Sequence, residues 1–161
     1  MRLWLLLCFI ATACADSHSS QQVQFSSLSF ELPDSWTVTS TANPTYRMWV
    51  PADNQRHESI VLIRSKVPVG TPLENVGQLL EDAQDGLGPI RPTATVTAIG
   101  AGLQGARVEF DFVPPGTHDA YHRVHALFVD GDSFIHILYT AKNAEPDLST
   151  YAGVLRTLHA T

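Results

Sequence analysis

Phe134-Ile135-His136-Ile137-Leu138-Tyr139, residues 134–139, is apolar in both directions when laid out as an extended strand. Side chains alternate between the two faces of a strand. Phe134 and Leu138 therefore point one way, and Ile135, Ile137 and Tyr139 the other. A strand that is apolar on both sides needs cover on both sides. Just upstream, Asp130-Gly131 is a hairpin signal. It joins a strand over 121–129 to a strand over 133–141, and this hairpin reads as the centre of a sheet.

Working outward, the same alternation recurs. Leu28-Ser29-Phe30-Glu31-Leu32 has the pattern of a half-buried strand, and Pro33-Asp34-Ser35 is a turn. Trp36-Thr37-Val38-Thr39 and Tyr46-Arg47-Met48-Trp49-Val50 continue it, and 59–67 is rich in β-branched residues. Further strands are expected over 93–99 and 106–113. Between these runs the period changes. Thr71-Pro72-Leu73-Glu74 is a capping box with Pro at the first helical position. Leu73, Val76, Leu80, Ala83 and Leu87 then mark one face of an amphipathic helix, ended by Gly86 and Gly88-Pro89. A second helix is expected from about Glu145 to His159, with Asn143 as a plausible cap and Leu148, Tyr151, Leu155 and Leu158 as its apolar stripe. Two amphipathic helices are what a sheet needing cover on both faces requires. The expected fold class is α+β: an antiparallel β-sheet with an amphipathic helix on each face.

The first residues are of another kind. Met1-Arg2 give a minimal positive start, residues 3–10 are apolar, and Ala11-Thr12-Ala13-Cys14 places small residues before a cysteine. That run is too short to span a bilayer, which takes about 20 apolar residues. It has the layout of an export signal, 1–13, cut before a cysteine that becomes acylated. Cleavage after Ala13 or Ala15, giving a secreted protein, is the alternative. Residues 14–24 read as the lipidated Cys14 and a flexible tether, since Asp16 to Gln22 contains no apolar residue. The domain proper is expected over 25–161. Acylation adds about 0.8 kcal/mol per buried CH₂ and would hold the domain on a membrane, with the outer membrane facing the periplasm as the expected place.

Composition narrows the function. The chain has 161 residues, enough for one domain. Its two cysteines are Cys8 and Cys14, and Cys8 leaves with the signal. No internal disulfide, zinc cluster of cysteines or cysteine nucleophile remains. Ten basic residues face sixteen acidic ones, a formal charge of −6 at pH 7. That balance argues against nucleic acid and against electrostatic docking on anionic lipid.

The element order resembles the PsbP-like family. The residues that carry this are Phe30-Glu31-Leu32-Pro33-Asp34-Ser35-Trp36, similar to the family's strand-Pro-x-x-Trp opening; the single helix placed over 71–87; and the strands through Tyr121-His122-Arg123-Val124 and Phe134-Ile135-His136-Ile137-Leu138-Tyr139, closed by a helix. The resemblance covers nearly all of the chain after the signal. It implies an α/β/α sandwich of PsbP type and a binding, assembly or accessory role. It carries no catalytic residue onto this chain, and no metal motif of the family has a match here. The resulting expectation is a non-enzymatic envelope lipoprotein that contacts an envelope protein and needs no cofactor.

Four motifs invite chemistry. Gly100-Ala101-Gly102-Leu103-Gln104-Gly105 spells a dinucleotide fingerprint, but a strand follows where a helix must hold the pyrophosphate. The glycines read instead as a turn. Gly131-Asp132-Ser133-Phe134 is similar to the nucleophile block of GDSL-type hydrolases, yet no Asp-x-x-His follows. Trp36 and Trp49 read as core aromatics, with a ligand site as the alternative, and Pro114-Pro115-Gly116-Thr117-His118-Asp119 reads as a connecting loop. The histidines are the best candidates. His122 and His125 point to opposite faces, and His118 and His122 share a face at roughly 13 Å separation. A two-residue turn at Asp130-Gly131 sets position 129 opposite 132 and His125 opposite His136. Opposed residues have Cβ atoms about 5 Å apart, close enough for two imidazoles to share a metal. His125 and His136 are therefore the candidate metal ligands, with half-buried, hydrogen-bonded histidines as the other reading.

Overall fold

The structure is a computed structural model and describes residues 19–40, 43–67, 75–83, 95–99, 103–142 and 148–161. Residues 1–13, expected to be a signal, Cys14, the expected capping box at 71–74, Gly86, Gly88, Gly100, Gly102, Asn143 and Glu145 lie outside the described residues.

Among the described residues, ten strands and two helices follow one another: β1 (Ser20–Phe25), β2 (Leu28–Pro33), β3 (Trp36–Ser40), β4 (Tyr46–Pro51), β5 (Ser59–Lys66), α1 (Val76–Asp82), β6 (Thr95–Ile99), β7 (Leu103–Phe112), β8 (Tyr121–Asp130), β9 (Ser133–Lys142), α2 (Ser149–Thr157) and β10 (His159–Ala160). Seven strands form one antiparallel sheet in the order β3-β4-β5-β9-β8-β7-β6. The hairpin that organised the sequence lies at its centre. The described parts of both expected helices are present, one on each face. Val76 and Leu80 of α1 pack with Ala106, Val108, Leu127 and Phe134. Tyr151 and Val154 of α2 pack with Val124, Phe128, Ile135, Ile137 and Tyr139. The α+β fold with helices on both faces is what the two-sided strand required.

The α2 face has a second cover. β1, β2 and β10 make a small sheet, and Val23, Phe25, Leu28, Phe30 and Leu32 join the same apolar cluster. Phe30 meets Trp49 edge-on, with ring centroids 5.7 Å apart. Fully burying a side chain of this size contributes about 1.5–3 kcal/mol, so this double layer is the main store of stability. Two expectations change here. Ser20 to Gln22, read as tether, are strand: β1 pairs along its whole length with β2. Gln21 is polar yet shares the face of Val23 and Phe25. Its Nε2 donates to the carbonyl oxygens of Trp36 (2.6 Å) and Pro33 (3.3 Å), satisfying backbone where the chain switches sheets. The last helix also stops earlier than expected. It ends at Thr157, and His159 and Ala160 pair with Ser29 and Leu28 of β2.

One glycine is held by close packing. Gly105 lies in β7 opposite Phe128, and a Cβ there would sit 2.4 Å from both the Leu127 carbonyl oxygen and the Phe128 ring. The third glycine of the fingerprint-like motif is thus a strand residue under a phenyl ring. β7 already begins at Leu103, so the segment is strand where a dinucleotide site would need helix.

Candidate functional site

Hairpin geometry decides where the histidines fall. Asp130 pairs with Ser133, which makes Gly131-Asp132 the two loop residues. Gly131 takes φ 60° at the first of them, the position where a type II′ turn demands positive φ. The expected turn at Asp130-Gly131 is therefore displaced by one residue. Every pairing along the hairpin moves with it: His125 stands opposite Leu138, and His136 opposite Leu127. His125 and His136 are not directly opposed. They remain on one face, because a shift of two positions along the partner strand preserves side-chain parity, whereas a shift of one would not.

The two rings meet on the diagonal. His125 Nε2 lies 3.0 Å from His136 Nδ1, with ring centroids 5.2 Å apart. His136 Nε2 lies 3.3 Å from Ser65 Oγ on β5. One ring donates and the other accepts, so the contact needs an uncharged acceptor nitrogen. The surroundings supply that condition. His125 is buried at 5% exposure. Burial first, then the neighbouring His136 and Arg123, bring its pKa down to about 3, and burial lowers that of His136 as well. Arg123 lies on the same face, its guanidinium 4.5 Å over the Phe112 ring and its Nε donating to Thr140 Oγ1 at 3.3 Å. Beside this pair, under α1, is a pocket of about 270 Å³ whose walls include Leu79, Leu80, Leu127 and Phe134 and whose polar residues are Ser65, Lys66 and His136. Among the described residues no group of three or more His, Cys, Asp or Glu side chains comes together in a form that could hold a metal.

The other candidates separate. His122 faces the α2 side. Its Nδ1 donates to Asp111 at 2.8 Å, and its Nε2 lies 3.2 Å from Glu109 Oε1, close but out of line for a hydrogen bond. Arg107 pairs with the same Glu109. His118 is exposed in the loop between β7 and β8, which closes through Thr117 N donating to Pro114 O at 3.1 Å. Ser133 Oγ donates to Asp132 (2.9 Å) and accepts from Arg64 Nε (3.1 Å), and it is buried at 2% exposure, so the GDSL-like block has no imidazole on its serine. Trp49 is a core residue. Trp36 is buried too, yet it also lines a groove between β2 and α2, about 470 Å³ in volume. Sequence reasoning missed that groove, because Glu31, Trp36 and Arg156 are brought together only by the small sheet.

No model of a known protein family matches the chain, and no curated protein does. Solved structures do match. The Ran-binding protein Mog1p of Saccharomyces cerevisiae superposes with a TM-score of 0.62 at 13% identity, covering 89% of this chain and 96% of that one. A mutant of Mog1 gives the same score and identity over 88% of this chain and 96% of its own. LpqN of Mycobacterium tuberculosis, described as involved in cell envelope biogenesis, gives 0.57 at 16% identity over 92% and 87%. At these identities the likeness establishes the fold: the chain has the Mog1/PsbP-like α+β architecture.

Proposed function

We propose that this chain is an envelope lipoprotein, acylated at Cys14, whose domain acts as a non-enzymatic accessory module contacting another envelope protein. The observation that carries this reading is the run of small residues ending in Cys14 after a short apolar segment, set before a domain of the Mog1/PsbP-like fold. The Ran-binding and envelope-biogenesis descriptions of its structural neighbours support a binding role. Tethering raises the local concentration of the domain near membrane partners without any new contact. The bilayer face in view is the periplasmic side of the outer membrane, with secretion as the alternative. Mass spectrometry of the native protein tests the anchor: a diacylglyceryl group on an N-terminal Cys14, absent in Cys14→Ala, is expected. A mature chain beginning after Cys14 would refute it. Affinity capture from solubilised envelope tests the partner.

The second reading is a metal or small-ligand site at His125 and His136, favoured by their 3.0 Å nitrogen separation. A bound ion would have to displace that hydrogen bond and recruit further ligands, since zinc takes four. Stoichiometric zinc uptake lost in both His125→Ala and His136→Ala would favour this reading over the first.

A further inference from the structure

The groove between β2 and α2 carries charge that its own walls do not neutralise. Arg156 and Glu31 both line it and both are exposed. No ion pair joins them. Glu31 Oε2 accepts a hydrogen bond from Ser20 Oγ at 3.3 Å. Trp36 and the hydroxyl residues Ser35 and Thr150 also line it. One cation and one anion held apart in a single groove match a ligand carrying both signs. The exposed Glu31 carboxylate suits an ammonium group. An arginine beside hydroxyls suits a phosphate.

The path of the chain says where such a ligand would be met. Ser19 and Ser20 form the rim of this groove, and the Ser19 carbonyl is held by the Asp34 N–H at 3.1 Å. Cys14 is five residues earlier. Whatever their arrangement, those residues span at most about 17 Å. A chain acylated at Cys14 therefore carries this groove within reach of the lipid head groups. The net charge of −6 opposes an anionic surface and leaves a zwitterionic one.

We propose that the groove lined by Glu31, Trp36 and Arg156 binds the phosphoethanolamine head group of the bilayer in which the chain is anchored, with Arg156 on the phosphate and Glu31 on the ammonium. The membrane part rests on the Cys14 reading above; the chemistry of the groove does not.

The test uses the full native chain purified in detergent, titrated calorimetrically with the soluble probe glycerophosphoethanolamine and, separately, glycerophosphoglycerol. Saturable binding of the first, at least tenfold tighter than the second, is expected. Arg156→Gln should weaken glycerophosphoethanolamine at least tenfold. Glu31→Gln should erase the preference between the two probes. Both residues are exposed, so neither variant disturbs the core. Equal affinity for the two probes, insensitivity to Arg156→Gln, or no saturable binding would each overturn the assignment. The mass of the same preparation reports separately on Cys14. Binding by an unacylated chain keeps the groove and removes the anchor; an acylated chain that ignores the probe does the reverse.

Discussion

The two faces of the large sheet are built from the same strands and differ in kind. On the α2 face, Val124, Ala126, Phe128, Ile135, Ile137 and Tyr139 are sealed beneath α2 and the small sheet. On the α1 face, the same β8 and β9 present His125, His136, Leu138 and Thr140, and the last three are only half-buried. α1 packs on Ala106, Val108, Leu127 and Phe134, toward the Gly131 end of the hairpin. One strand can therefore serve two purposes. Its sealed face supplies stability, and its other face can hold polar groups that stability alone would not select. The imidazole pair lies where the apolar cover runs out.

Neighbouring residues on β9 give the sharpest contrast. Ile137→Ala should cost about 2–5 kcal/mol in chemical denaturation, the range for a fully enclosed aliphatic side chain. Leu138→Ala, one residue on and facing the other way, should cost less, about 1 kcal/mol, since its side chain is only half-buried. Equal losses would erase the distinction between the faces.

Acid should act through the α1 face. The folded pKa of His125 lies near 3, below the ordinary 6.5, so between these values the unfolded chain binds the extra proton. Stability is then complete above about pH 6.5 and declines as the pH falls toward 3. From pH 7 to pH 5 the loss attributable to His125 should be about 2 kcal/mol, with His136 adding in the same direction. The measurement is the difference between the native chain and the His125→Leu/His136→Leu double variant over that interval. Parallel pH curves for the two would show that the pair is not held neutral by its surroundings.

A smaller effect probes the contact itself. His136→Leu alone removes the 3.0 Å contact from His125 and should cost about 1–2 kcal/mol at pH 7, whereas the double variant removes both ends of that one contact. The double variant should therefore be more stable than the sum of the singles by about 1 kcal/mol in a mutant cycle. Additive losses would mean that the rings touch without an energetic bond.

Much of this was legible in the residues. The two-sided apolar pattern of 134–139 called for cover on both faces, and two amphipathic segments supplied it. The histidine pair was reached through a turn set one residue too early. It survived because the error left parity intact. The small sheet was hidden for a plain reason. Gln21 and Gln22 look like tether until Gln21 is seen bonding Trp36 and Pro33, and two residues of β10 are too few to show any period. The groove at Glu31, Trp36 and Arg156 was hidden with it, since its walls are 125 positions apart along the chain and join through β2 and α2 alone.

β10 has a consequence for how the protein is made. It borders β2, and α2 just before it covers the sealed face, so the first and last segments of the domain must meet before the core can dry. A chain that still lacks α2 and β10 cannot complete that enclosure, so drying of the core waits on these two elements.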